Sequence, residues 1–172
     1  MKKLSLLLLA LILLAGCGQS KVDYPQQMPE DFDIRFSWAI GAENIYDTYN
    51  GRLQKDLVLD GVATAEFEPD REVLAEIYAK VTELDIASID REMTTRTLSK
   101  NGEGIAVLPL TVYEIQFTIN GTIYSVTGDA TASCYPKNRQ AARFAEFVEF
   151  MQGVVINTPE FQQMPKPNGG YD

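Results

Sequence analysis

From Phe32 to Ile40 the chain alternates. Phe32, Ile34, Phe36, Trp38 and Ile40 take every second position, and small or polar residues stand between them. A period of two marks a strand with one buried face. Asn50-Gly51 tolerates the positive φ angles of a tight hairpin, so residues 45 to 59 are expected to run strand, turn, strand. Another strand is expected over 62 to 67, with Asp60-Gly61 as a competing turn. The period then changes. Leu74, Ile77, Tyr78, Val81 and Leu84 recur at three- and four-residue spacing, which predicts a helix over 69 to 84. Pro69 suits its first turn, and Asp70 and Glu72 oppose the positive end of its dipole.

The sharpest local signal lies around Asn120-Gly121. A two-residue turn there sets Ile119 opposite Thr122, Phe117 opposite Tyr124, Ile115 opposite Val126 and Tyr113 opposite Gly128. Those residues share one face, while Glu114, Gln116 and Thr118 lie on the other, so one side is apolar and one wet. A second helix is expected from Asn138 to Gln152, with Ala141, Phe144, Phe147, Val148 and Met151 inward and Gly153 as its stop. A short turn from Thr158 through Pro159 caps the domain. The stretch 85–109 is least legible: Asn101-Gly102 and Gly104 indicate a turn joining a strand near 93–98 to one near 105–108. The order of elements implies an α+β domain over 32–164, an antiparallel sheet of about five strands with two main helices on one face.

The N-terminus follows other rules. Lys2 and Lys3 precede an apolar run from Leu4 to Ala15 that is interrupted only by Ser5. A dozen helical residues span roughly 18 Å, too short for a hydrocarbon core of about 30 Å. Leu14-Ala15-Gly16-Cys17 has the form of a lipobox, so residues 1–16 are expected to be a signal peptide and Cys17 the lipidated first residue of the mature chain. Two acyl chains at one sulfur hold a protein stably where one does not. Residues 17–31 read as a flexible tether, and residues 165–172 as an extended tail.

Charge and cysteine count narrow the partners. Lys2 and Lys3 leave with the signal, so 15 basic residues fall to 13 against 24 acidic ones, a net charge of −11. No nucleic acid partner is expected of such a surface, which also gives no polybasic attraction to anionic lipid. The expected membrane contact is the lipid on Cys17. With Cys17 modified, Cys134 has no intramolecular disulfide partner.

The chain contains no histidine, which removes Ser-His-Asp and Cys-His catalysis, HExxH metalloproteases and His-ligated zinc. CxxC, SxxK, Walker A and dinucleotide glycine motifs are also absent. Three weaker chemical options remain: a thiol at Cys134 ahead of the second helix, a carboxylate pair of glycosidase type, and calcium at Asp129 or around Asp56 and Asp60. Phe32, Phe36 and Trp38 fit a sugar-stacking stripe but fit a strand core better. No cofactor or metal is expected. Arg91, Arg96 and Lys100 concentrate positive charge in the 85–109 stretch, which is either a solvated loop or a binding loop.

LAGC (14–17), FDIRFSW (32–38), NIYDTYNGRLQKDLV (44–58), EVLAEIYAKV (72–81) and MPKPNGGY (164–171) together cover much of the mature chain. On these segments the sequence resembles an uncharacterised family of Gram-positive lipoproteins. The resemblance implies an address and no activity. Within its second block, Asp47, Thr48, Lys55 and Asp56 are candidate binding residues; the plainer alternative is turn capping and a surface ion pair. The expected function is a non-enzymatic, membrane-tethered module, which binds an envelope protein or peptide through its polar sheet face or by β-addition at an edge strand. A carboxylate-dependent enzyme acting on cell-wall polymer and a purely structural envelope protein are the alternatives.

Overall fold

The computed structural model describes residues 22–99 and 105–171. Cys17 and Lys100 lie outside them, as does the expected turn at 101–104. Four strands come first: β1 (Ile34–Ala39), β2 (Asn44–Asp47), β3 (Arg52–Asp56) and β4 (Val62–Glu66). Helix α1 (Arg71–Glu83) follows, then β5 (Glu92–Met93), the single helical turn α2 (Thr95–Leu98), the hairpin β6 (Val112–Ile119) and β7 (Thr122–Asp129), helix α3 (Arg139–Ile156) and the short α4 (Pro159–Gln163). Among the described residues, one sheet contains all seven strands in the order β4-β3-β2-β1-β6-β7-β5, antiparallel except where β5 runs parallel to β7.

The β6–β7 register pairs Ile119 with Thr122, Phe117 with Tyr124, Ile115 with Val126 and Tyr113 with Gly128, as the Asn120-Gly121 turn requires. β1 then pairs antiparallel with β6, setting Phe36 against Ile115 and Ile34 against Phe117. Ile34, Phe36, Ile115, Phe117 and Leu53 are essentially inaccessible, and so are Ile77 and Val81 of α1 and Phe144, Phe147 and Met151 of α3. Each such side chain contributes roughly 1.5–3 kcal/mol by leaving water. Both main helices therefore cover one sheet face. Phe32, Phe36 and Trp38 belong to this core.

The fold is α+β with a mostly antiparallel sheet, but seven strands replace the expected five or so. β5 is two residues long, too short for an alternating pattern to show. Between 93 and 98 the expected strand is replaced by a helical turn: Thr97 Oγ1 accepts from Thr94 N at 3.0 Å and donates to Glu92 O at 2.8 Å, closing the backbone on itself. Residues 105–108 form no strand either. Helix α1 starts two residues later than expected, with Asp70 as its cap accepting from Glu72 N at 2.8 Å and Pro69 just outside.

Gly153 does not stop α3. The helix continues to Ile156, burying Val155, and ends where Asn157 Nδ2 donates to Gly153 O at 2.9 Å, just before Pro159 opens α4. A glycine costs a helix interior only about 1 kcal/mol relative to alanine, less than one buried valine contributes.

Residues 24–31 and 165–171 make specific contacts with the domain. Tyr24 Oη donates to Asp85 Oδ1 at 3.2 Å and accepts from Ala87 N, while Tyr78 Oη donates to Pro25 O. Asp31 receives the Asn120 and Gly121 amides at the hairpin turn. At the other end, Asn168 bridges to Val58, and Tyr171 Oη donates to Asp56 Oδ2 at 2.7 Å.

One close approach fixes α3 against the sheet. A Cβ at Gly128 would lie 2.6 Å from the Phe144 ring and 2.8 Å from Met93 O. Gly128→Ala is expected to cost about 1–3 kcal/mol through overpacking, read from the urea midpoint at unchanged m-value. An unfolding midpoint equal to that of the native chain would contradict this packing.

Candidate functional site

Among the described residues, those singled out in the sequence each have a visible partner or position; Cys17 and Lys100 lie outside them. Asp47 accepts from Asn50 N at 3.3 Å and from Asn50 Nδ2 at 2.8 Å, holding the β2–β3 turn. Thr48 Oγ1 accepts from Ile34 N at 2.8 Å and donates to Asp33 Oδ1 at 2.7 Å, so it pins the start of β1. Asp56 accepts from Val58 N at 2.8 Å and supports that residue's positive φ of 62°. Lys55 Nζ donates to Phe161 O at 3.3 Å and stands 4.7 Å above the Phe161 ring, without a carboxylate partner among the described residues. Turn capping describes Asp47 and Asp56, whereas the expected ion pair at Lys55 does not form among the described residues.

Arg96 grips Glu92 through two bonds of 2.9 and 3.0 Å. Arg91 is exposed beside a shallow cavity of about 340 Å³. These arginines sit by β5 at one edge of the sheet, while Lys55 and Asp56 sit on β3 toward the other. The structure does not bring the two sets together.

The remaining chemical candidates are similarly dispersed. Cys134 is exposed at the end of a 3-10 turn, Ala130–Cys134, and lies four residues ahead of the α3 cap Asn138. Asp129 is buried and bonded to Thr131 N and Oγ1. Among the described residues, no three His, Cys, Asp or Glu side chains gather as a metal site would require. No helix among them is long and apolar enough to cross a membrane.

A larger cavity than the one beside Arg91 involves none of these residues. Helices α1 and α3 touch at one end, where Lys80 Nζ meets Glu146 at 2.7 Å and Glu83 at 3.2 Å, and Arg143 meets Asp85 at 3.2 Å. From there toward Asp70 and Asn157 they leave a groove of about 850 Å³. Such a volume lies in the range of small-ligand and peptide sites, about 300–1,000 Å³. Tyr46 of β2 and Phe67 after β4 form its floor, with rings 5.0 Å apart. Val73, Phe150 and Val154 are half-buried along its walls. Glu68, Asp70, Glu76, Glu146, Glu149 and Glu160 surround them, and Lys80, the one basic side chain in the lining, is already held by two carboxylates.

Tyr46 is distinctive. The residue is 2% exposed, yet its hydroxyl makes no hydrogen bond among the described residues and is not sealed from solvent. Its solvent contact is through the groove it floors. Burial, reinforced by the negative charge of Asp70, pushes its pKa from 10.0 up to about 12. At neutral pH the groove floor therefore offers a phenolic donor with nothing to donate to.

Gly153 faces the same space. A Cβ there would meet nothing within 4 Å. On α3 the lining residues Glu146, Glu149, Phe150, Gly153, Val154 and Asn157 follow helical spacing one position off the core stripe, as do Val73, Glu76 and Lys80 on α1. The detectable signal was therefore Val73, Phe150 and Val154, apolar residues flanking a stripe that was already wide enough to fill the core.

No protein-family model matches the chain, and no curated protein is significantly similar to it.

Two outcomes follow from this geometry. Gly153→Ala should raise stability by roughly 0.5–1 kcal/mol, because the site is helical and unobstructed; a lowered denaturation midpoint would contradict the open space. The second concerns alkali. The folded chain keeps Tyr46 protonated to higher pH than the unfolded chain does, so this stabilisation is complete below pH 10 and is lost as the pH rises toward 12. Tyr46→Phe should remove that component from the pH dependence of unfolding, and ultraviolet titration should show one fewer late-ionising tyrosine.

Proposed function

We propose that the chain is a lipid-anchored, extracytoplasmic binding module without catalytic activity, and that the groove between α1 and α3 is its binding site. The groove carries this reading: it leaves Phe67, Val73, Phe150 and Val154 half-buried beside an unpartnered tyrosine hydroxyl. Apolar surface left uncovered in a concavity, with a few polar groups pointing into it, is the usual form of a ligand site. The wet face of the sheet is a weaker candidate because its side chains satisfy one another. Arg35 and Ser37 bond to Glu114, Arg52 to Gln54, and Tyr49 to Thr118.

The lipid anchor is supported by the charged start, short apolar run and Leu-Ala-Gly-Cys sequence at 14–17, and by the resemblance to Gram-positive lipoproteins. The absence of histidine from the whole chain supports a binding role over acid–base catalysis at neutral pH.

Anchor and groove are tested separately. Mass spectrometry of the native protein should find residues 1–16 removed and an acyl-bearing glyceryl group on Cys17, and Cys17→Ala should move the protein out of the membrane fraction. An unmodified Cys17 thiol would overturn the anchor. For the groove, the uncharged apolar-surface dye Nile red should fluoresce on the native chain, and Gly153→Trp should quench most of that signal by filling the space. Undiminished dye binding by a folded Gly153→Trp variant would place the accessible apolar surface elsewhere.

A further inference from the structure

The occupant of the groove can be narrowed from the chemistry of its walls. Both long walls are helices whose backbone amides and carbonyls are bonded within the helix, and no strand edge enters the lining. An extended peptide placed there would find no ladder for its own backbone, and an unpaired backbone group out of water is costly. A helix brings its backbone bonds with it and needs only side-chain contacts, as in other helix-in-groove complexes.

Charge decides the polar half of the partner. The rim carboxylates of Glu76, Glu149 and Glu160 have no basic partner among the described residues, and the only lysine of the lining is committed to Glu146 and Glu83. The whole chain carries a formal charge of −9, so its field adds to the local one and attracts cations from a distance. An acidic ligand would meet repulsion from most of the rim. The half-buried aromatic side chains Phe67 and Phe150 among the carboxylates suit the ammonium or guanidinium group of a long basic side chain, whose methylenes can lie on the rings.

We propose that the groove binds a short, positively charged amphipathic helix supplied by another protein or peptide, and that this helix packs as a third member beside α1 and α3. Its apolar side chains cover Phe67, Phe150 and Val154, its lysines or arginines face the glutamates, and the Tyr46 hydroxyl donates to a polar group of the bound helix. This inference rests on the groove being the binding site.

The test uses the full chain in a neutral detergent, with detergent alone as the blank. Three synthetic probes of about four helical turns, ~14 residues, are titrated by calorimetry: an amphipathic Leu/Lys helix, its Glu-for-Lys twin, and a Leu/Lys peptide of the same composition scrambled to lose its apolar face. The Leu/Lys helix should bind at least about tenfold more tightly than either control, and raised salt should weaken it. Glu76→Gln with Glu149→Gln should weaken it by about tenfold, Gly153→Trp should abolish it, and Gly153→Ala should leave it intact. Circular dichroism and urea midpoints confirm that each variant is folded.

Failure separates into two kinds. If the twin or the scrambled peptide binds as well as the Leu/Lys helix while Gly153→Trp still blocks it, or if no probe binds while the dye still reports the groove, the cationic helix is wrong and the groove survives. Should Gly153→Trp bind the Leu/Lys helix normally, both the inference and the groove fall together.

Discussion

Everything in the architecture depends on the pairing of β1 with β6. Residues far apart in sequence, Phe36 and Ile115, meet there in register, and that contact joins the β1–β4 meander to the β6–β7 hairpin as one sheet. Because side chains alternate with a period of two, that register puts Ile34, Phe36, Ile115 and Phe117 on the same face. The two long helices have only that face to cover. A slip of one residue would turn either Arg35 and Ser37 or Glu114 and Gln116 toward the helices in place of apolar side chains.

The groove is a by-product of how the helices settle on this face. Phe144 reaches the sheet at Gly128, where no side chain intervenes, and this draws the start of α3 toward β7 and the end of α1. The other ends of the two helices cover different parts of the sheet, with Tyr46 and Phe67 lying between them. An ordinary core would fill that wedge with large side chains. Here one wall position is Gly153, where a side chain would meet open space, and many of the lining residues are acidic. Both choices give up stability that larger apolar residues would supply, as functional surfaces commonly do.

Much of the fold was legible because its signals are local. Asn120-Gly121 restricts the turn so strongly that the entire β6–β7 register followed from it, and the stripes on α1 and α3 are simple helical periods. Legibility failed where a weak local preference met tertiary packing. Gly153 reads as a stop but sits inside α3, since Val155 is buried beyond it. Strand β5 is too short to carry any period. The candidate residues Asp47, Thr48 and Asp56 stood out only as polar residues of the segment 44–58, and each holds a turn or a strand start. The groove could not be read at all from the order of residues, because its floor comes from β2 and the end of β4 and its walls from helices on either side of the hairpin. Only the extra apolar positions Val73, Phe150 and Val154 hinted that the helices had more than one face to account for.

The central place of β1 has a consequence for assembly in time. This strand leaves the ribosome ahead of the other described elements, yet one of its two hydrogen-bonding edges waits for β6, more than seventy residues downstream. Until that segment arrives, the meander of β1 to β4 presents an open edge backed by Ile34, Phe36 and Trp38, a template for pairing with the wrong chain. Closure of so distant a contact makes maturation slow relative to helical proteins of this size. A nascent copy thus passes through an interval in which crowding by its neighbours is its main hazard, and the β6–β7 hairpin, itself quick to form, ends that interval by docking.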